Sequence, residues 1–82
     1  MIKGKEFATI LASPPEYDQL VAEIYWDGLF VALISQELAP GVFQIEMPGP
    51  DLQEAQIRRS VELNGFLRAV EDACRRLREE KP

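Results

Sequence analysis

Leu20 to Gln36 reads LVAEIYWDGLFVALISQ, and this stretch decides the fold. Asp27-Gly28 is a two-residue type I′ turn signal, because both central positions of that turn need positive φ. β-Branched and aromatic residues dominate both flanks, as a half-buried pleated surface requires. Pairing straight across the turn sets Trp26 opposite Leu29, Ile24 opposite Val31 and Ala22 opposite Leu33. Leu20, Ala22, Ile24, Trp26, Leu29, Val31 and Leu33 then share one apolar face, the expected core. The second face carries Val21, Glu23, Tyr25, Phe30, Ala32 and Ile34, with Tyr25 opposite Phe30. A sheet with one wet face alternates apolar with polar. Here the second face is apolar but for one carboxylate, so either another element of the chain or a partner covers it.

Working outward, Lys5 to Ala12 is expected to be a strand, with Phe7, Thr9 and Leu11 on one side and Ala8 and Ile10 on the other. Ser13-Pro14-Pro15-Glu16 admits two readings. It is a loop leading into the hairpin, the favoured reading, or a helix N-cap with proline in the first turn, which would put Tyr17, Leu20, Val21 and Ile24 on a helical face. Ala39-Pro40-Gly41 makes a turn, and Val42 to Met47 alternates, with Phe43, Ile45 and Met47 inward and Gln44 and Glu46 outward. Pro48-Gly49-Pro50 closes that strand. Gln56 to Val61 reads as a short edge strand or a helical turn, with the strand favoured. From Asn64, a plausible N-cap, Phe66, Leu67, Val70, Ala73, Cys74 and Leu77 follow the rhythm of one buried helical stripe. Arg75, Arg76 and Arg78 sit near the helix C-terminus, where cations favour the dipole. The expected architecture is α+β: one domain over residues 1–82, with a small antiparallel sheet of four to five strands and a C-terminal helix packed on one face.

Composition removes most chemistry. The 82 residues contain no histidine, which excludes histidine-based acid–base work, nucleophile–histidine pairs and histidine metal sites. The single Cys74 forms neither an internal disulfide nor a Cys₄ zinc site, and it reads as a small core residue in a reducing compartment. The five glycines are scattered, so no phosphate-binding loop is present, and no acidic run has calcium-loop spacing. No cofactor and no metal are expected. No uncharged run approaches the roughly 20 residues needed to cross a bilayer, and residues 1–6 do not resemble a signal peptide, so the expected location is the cytoplasm. A carboxylate-pair hydrolase stays open as a minority reading.

Charge is segregated. Between Glu6 and Ile57 there are nine carboxylates and no lysine or arginine, whereas residues 58–82 carry seven cations and five anions. The net −5 therefore comes from the sheet-forming stretch. Such a surface keeps a protein soluble, and it also steers a basic partner. Phosphates would be repelled, and the helix arginines are interleaved with Glu71, Asp72, Glu79 and Glu80, so nucleic-acid binding is not expected.

LVAEIYWDGLFVALISQE (20–37), followed by VFQIEMPG (42–49) and a final helix, resembles short bacterial proteins of largely unassigned function. Several such proteins are immunity partners of polymorphic or contact-dependent toxins. The Asp27-Gly28 turn and Ser35-Gln36-Glu37 carry the resemblance, which spans roughly Gln19 to Gly49. It implies a small α+β protein that blocks a basic toxin with an acidic surface.

The expected function is non-enzymatic protein binding. Tyr25 and Phe30 would anchor the partner, with Ile34 on the same face, and Glu23, Glu37 and Glu46 would steer it. An alternative role for Tyr25 and Phe30 is a cross-strand aromatic pair that stabilises the hairpin. The rival function is a homodimer formed through this face. There Glu23 would be disfavoured unless it paired with Arg58 or Arg59 of a second copy.

Overall fold

The computed structural model describes residues 6–39, 41–50 and 53–79. Its chain runs β1 (Phe7–Ala12), β2 (Val21–Trp26), β3 (Leu29–Ala39), β4 (Val42–Glu46), a single 3-10 turn (Glu54–Gln56) and α1 (Leu63–Glu79). The strands form one antiparallel sheet in sequential order, and the helix covers one face, an α+β arrangement. Asp27 and Gly28 both take positive φ, 53° and 79°, so the turn forms as its sequence dictates. Trp26 pairs with Leu29 and Tyr25 with Phe30.

Beyond that point the register departs from straight pairing. Ile24 faces Ala32 rather than Val31, and Ala22 faces Ile34 rather than Leu33. Val31 is thus the extra residue of a β-bulge, and every side chain after it changes face. Ala32 and Ile34 turn toward the helix, where they are 0% and 1% exposed, and Leu33 turns outward beside Glu23. The helix supplies Ala69, Ala73 and Leu77 to the same cluster as Ala22, Ile24, Ala32 and Ile34. Alanines on both sides of this contact let the helix backbone lie close to the sheet.

Phe7, Thr9 and Leu11 pair with Trp26, Ile24 and Ala22, so β1 presents the expected residues to the helix. Lys5, the first residue of the expected strand, lies outside the described residues. Residues 13–20 form a loop with a turn closed by Tyr17 N–H on the Pro14 carbonyl (3.1 Å), not a helix. In place of a strand over Gln56–Val61 there is one parallel bridge, Ile57 to Phe30, with Arg58 N–H donating to the Phe30 carbonyl (2.8 Å). Arg59 holds the connection that leads there: it donates to the carbonyls of Pro48 and Gly49 and pairs with Glu54 at 2.7 Å.

The N-cap of α1 is Glu62 rather than Asn64. Its carbonyl accepts the first helical bond, from Phe66 N–H, and its carboxylate accepts the N–H groups of Asn64 (3.0 Å) and Gly65 (2.7 Å). Gly65 lies against the Phe7 ring; a Cβ there would stand 2.8 Å from it.

Candidate protein-binding surface

The face of the sheet away from α1 is built in rows by the strand register. Ile10, Glu23, Leu33 and Glu46 are successive cross-strand partners, and the next row holds Ala8, Tyr25 and Phe30. Ile57 closes that row beyond the end of β4 and is buried. Tyr25 and Phe30 meet edge to face, with centroids 5.8 Å apart and planes at 69°. Their pairing is what the hairpin reading required, and both rings remain half-buried rather than covered. The Tyr25 hydroxyl donates to Glu23 Oε1 at 3.0 Å. Burial first, and then this bond and the nearby charge, push the Tyr25 phenol above its ordinary value.

Loop 13–20 crosses one end of this face and is tied down by carboxylates. The Tyr17 hydroxyl donates to Glu46 Oε1 at 2.8 Å, and Ser35 Oγ donates to Glu46 Oε2 at 3.3 Å. Asp18 and Gln19 donate their N–H groups to the two oxygens of Glu37, at 2.9 and 2.8 Å. A second irregularity in β3 makes this possible. Between the pairs Ser35–Gln44 and Ala39–Val42, β3 has more residues than β4, and Glu37 projects from that excess toward the loop. At this end of the face Val21 and Ser35 are completely buried.

These contacts concentrate negative charge. Tyr17 is pushed up to about 12, first by its hydrogen bond to Glu46, then by burial and the charges of Glu46, Glu16 and Glu37. Among the described residues every ion pair lies elsewhere: Arg59 with Glu54, Arg75 with Asp72 and Glu79, and Arg76 with Asp72. Arg58 stacks over Trp26 and Arg78 over Phe43, both on the helix side. Glu23, Glu37 and Glu46 have no cation within ion-pair distance among the described residues.

Of the six residues read from the sequence, Glu23, Tyr25, Phe30 and Glu46 share the outer face, and Glu37 joins them through the loop. Ile34 does not. It lies under the helix because the Val31 bulge inverts β3, and Leu33 takes its place. Tyr17 and Ile10, which is 50% exposed, complete the surface. Neither had a local signal: Tyr17 sits in a loop whose path is set by distant carboxylates, and Ile10 is one of several apolar residues in β1.

The helix face has a second feature. α1 packs mainly over β1 and β2, leaving an open groove of about 280 Å³ beside β3 and β4, lined by Phe43, Ile45, Leu67, Val70 and Cys74 among others. Burial pushes the Cys74 thiol up, against the opposing pull of Arg78. Among the described residues no three histidine, cysteine or carboxylate side chains gather to hold a metal ion, and no helix is long and apolar enough to cross a membrane.

No family model, curated protein or solved structure matches this chain.

Proposed function

We propose that this protein is a non-enzymatic binding domain that recognises a basic protein partner through the outer face of its sheet. The observation that carries the reading is the set of Glu23, Glu37 and Glu46 on one side of the molecule, without ion-pair partners among the described residues, while Arg58, Arg59, Arg75, Arg76 and Arg78 are engaged on the connection and the helix. An exposed field of one sign speeds encounter with the opposite sign, and half-buried aromatics beside it supply contact area. The resemblance to immunity proteins gives the concrete version: a cytoplasmic protein that neutralises a toxin by occupying its basic surface.

The test is capture of the partner from the source lysate by the tagged chain, beside a Glu23→Lys, Glu46→Lys variant. A basic protein held at low salt, lost from the variant, and associating more slowly as salt rises supports the reading. An acidic partner, a second copy of the chain, or an on-rate indifferent to salt overturns it.

A further inference from the structure

We infer that Glu23 is the receptor for one arginine side chain of the partner, an inference that rests on the acidic-face reading above. The three carboxylates of that face are not equivalent. Both oxygens of Glu46 accept hydroxyl hydrogens, from Tyr17 and Ser35, and both oxygens of Glu37 accept backbone N–H groups. Glu23 uses only Oε1, for the Tyr25 hydroxyl, and among the described residues Oε2 has no donor. Glu23 is also the only one of the three set in β2, with a strand on each side, between Ile10 and Leu33. Those apolar neighbours limit how much water reaches the carboxylate, so a charge-assisted bond to it is stronger than at the rim.

The surroundings select the cation. A guanidinium is planar, offers several donors in a fixed fork and is weakly hydrated, so it loses less than an ammonium when brought against Ile10 and Leu33. It also stacks on aromatic rings, and the Tyr25–Phe30 pair adjoins Glu23 along the strand and across it. The chain already places two arginines over rings, Arg58 over Trp26 at 4.5 Å and Arg78 over Phe43 at 5.2 Å. Among the described residues the approaching arginine meets no ion-paired cation at Glu23, Glu37 or Glu46, and it carries the opposite sign to the latter two nearby. The occupant is therefore a segment of a basic protein that presents one arginine to the centre of the sheet.

The probes are blocked hexa-arginine and hexa-lysine peptides, titrated at low salt into the full chain and followed by amide chemical shifts. The expected result is tighter binding of hexa-arginine, with shifts centred on Ile10, Glu23, Tyr25 and Leu33. Glu23→Gln should weaken hexa-arginine about tenfold, the equivalent of about 1.4 kcal/mol. Glu71→Gln, which removes the same charge from the exposed side of α1, should retain the affinity, and a dispersed amide spectrum of each variant reports that it is folded. Equal affinity for the two peptides, or a folded Glu23→Gln variant that binds as the parent does, overturns the arginine site and leaves the acidic-face reading standing. Shifts confined to residues 16–19 and 37 do the same. Binding of neither peptide overturns both.

Discussion

The negative field of the outer face has a direct spectroscopic reporter in its two tyrosines. Tyr17 is held up to about 12 against an ordinary value of 10, and Tyr25 is also raised. The chain contains only these two tyrosines, so its tyrosinate absorbance as a function of pH reports nothing else. The expected titration has both steps above pH 10, with the Tyr17 step near 12. Glu46→Gln removes one nearby charge and replaces the charged acceptor of the Tyr17 hydrogen bond, the largest cause of the shift, with a neutral amide oxygen. The Tyr17 step should then move down toward 10, but not fully, because Glu16 and Glu37 still act on it. The sign of the stability change follows from the same shift. The phenol form is favoured in the folded state, so this contribution is fully present below pH 10, where both states are protonated. It is lost as pH rises from 10 through about 12, because the unfolded chain releases its proton first. The urea midpoint should fall across that window. The fall should be smaller in Glu46→Gln, measured in a Cys74→Ser background so that the raised thiol does not contribute a parallel loss. Circular dichroism on the same samples confirms that the chain is folded during the titration. Two tyrosines ionising together at pH 10 in folded protein would refute the concentration of charge on this face, and with it the basis for a basic partner.

The bulge makes a paired prediction. Ile34→Ala should cost about 3 kcal/mol, as for a fully buried aliphatic residue, and Leu33→Ala only about 1 kcal/mol; urea denaturation showing the reverse order would restore straight pairing. Glu62→Ala should cost about 1–2 kcal/mol through loss of the helix cap, and Glu62→Gln clearly less, because an oxygen acceptor survives; equal losses in the two variants would mean the carboxylate does not cap. Glu37→Gln should speed hydrogen exchange at the Asp18 and Gln19 amides without changing exchange within α1, and unaltered exchange at both amides would show that Glu37 does not hold the loop.

The parts of the fold that were legible in the sequence are those specified locally. Asp27-Gly28 fixes its turn through backbone conformations that few residue pairs tolerate, and that turn alone sets Tyr25 against Phe30. The apolar stripe of α1 is equally local, because helical periodicity is a property of the segment. The start of the helix was less so: Glu62 is not among the usual capping residues, and it caps here because its carboxylate reaches two free N–H groups. The prolines made loop 13–20 legible as a loop, but its path was not. Its path depends on Glu37 and Glu46, distant in sequence, and on the excess residues in β3 that aim Glu37 at it.

The Val31 bulge shows most clearly why a pattern can mislead and still yield a useful surface. LFVALIS offers apolar residues at both parities, so periodicity cannot choose between Val31 with Leu33 and Ala32 with Ile34 as the inward set. Packing chooses. The helix presents Ala69 and Ala73, and small residues facing small residues allow close approach where Leu33 aimed at the helix would hold it away, while Val31 itself stays buried in the core cluster. Inserting one unpaired residue costs a ladder contact and brings Ala32 into line with Ala22 and Ile24. The same step sends Leu33 outward, directly between Glu23 and Glu46. An outer row that would have read Ile10, Glu23, Ala32 thereby becomes Ile10, Glu23, Leu33. The bulge that tightens the core thus also supplies the apolar wall beside Glu23, so removing Val31 should weaken hexa-arginine binding as well as the packing of α1.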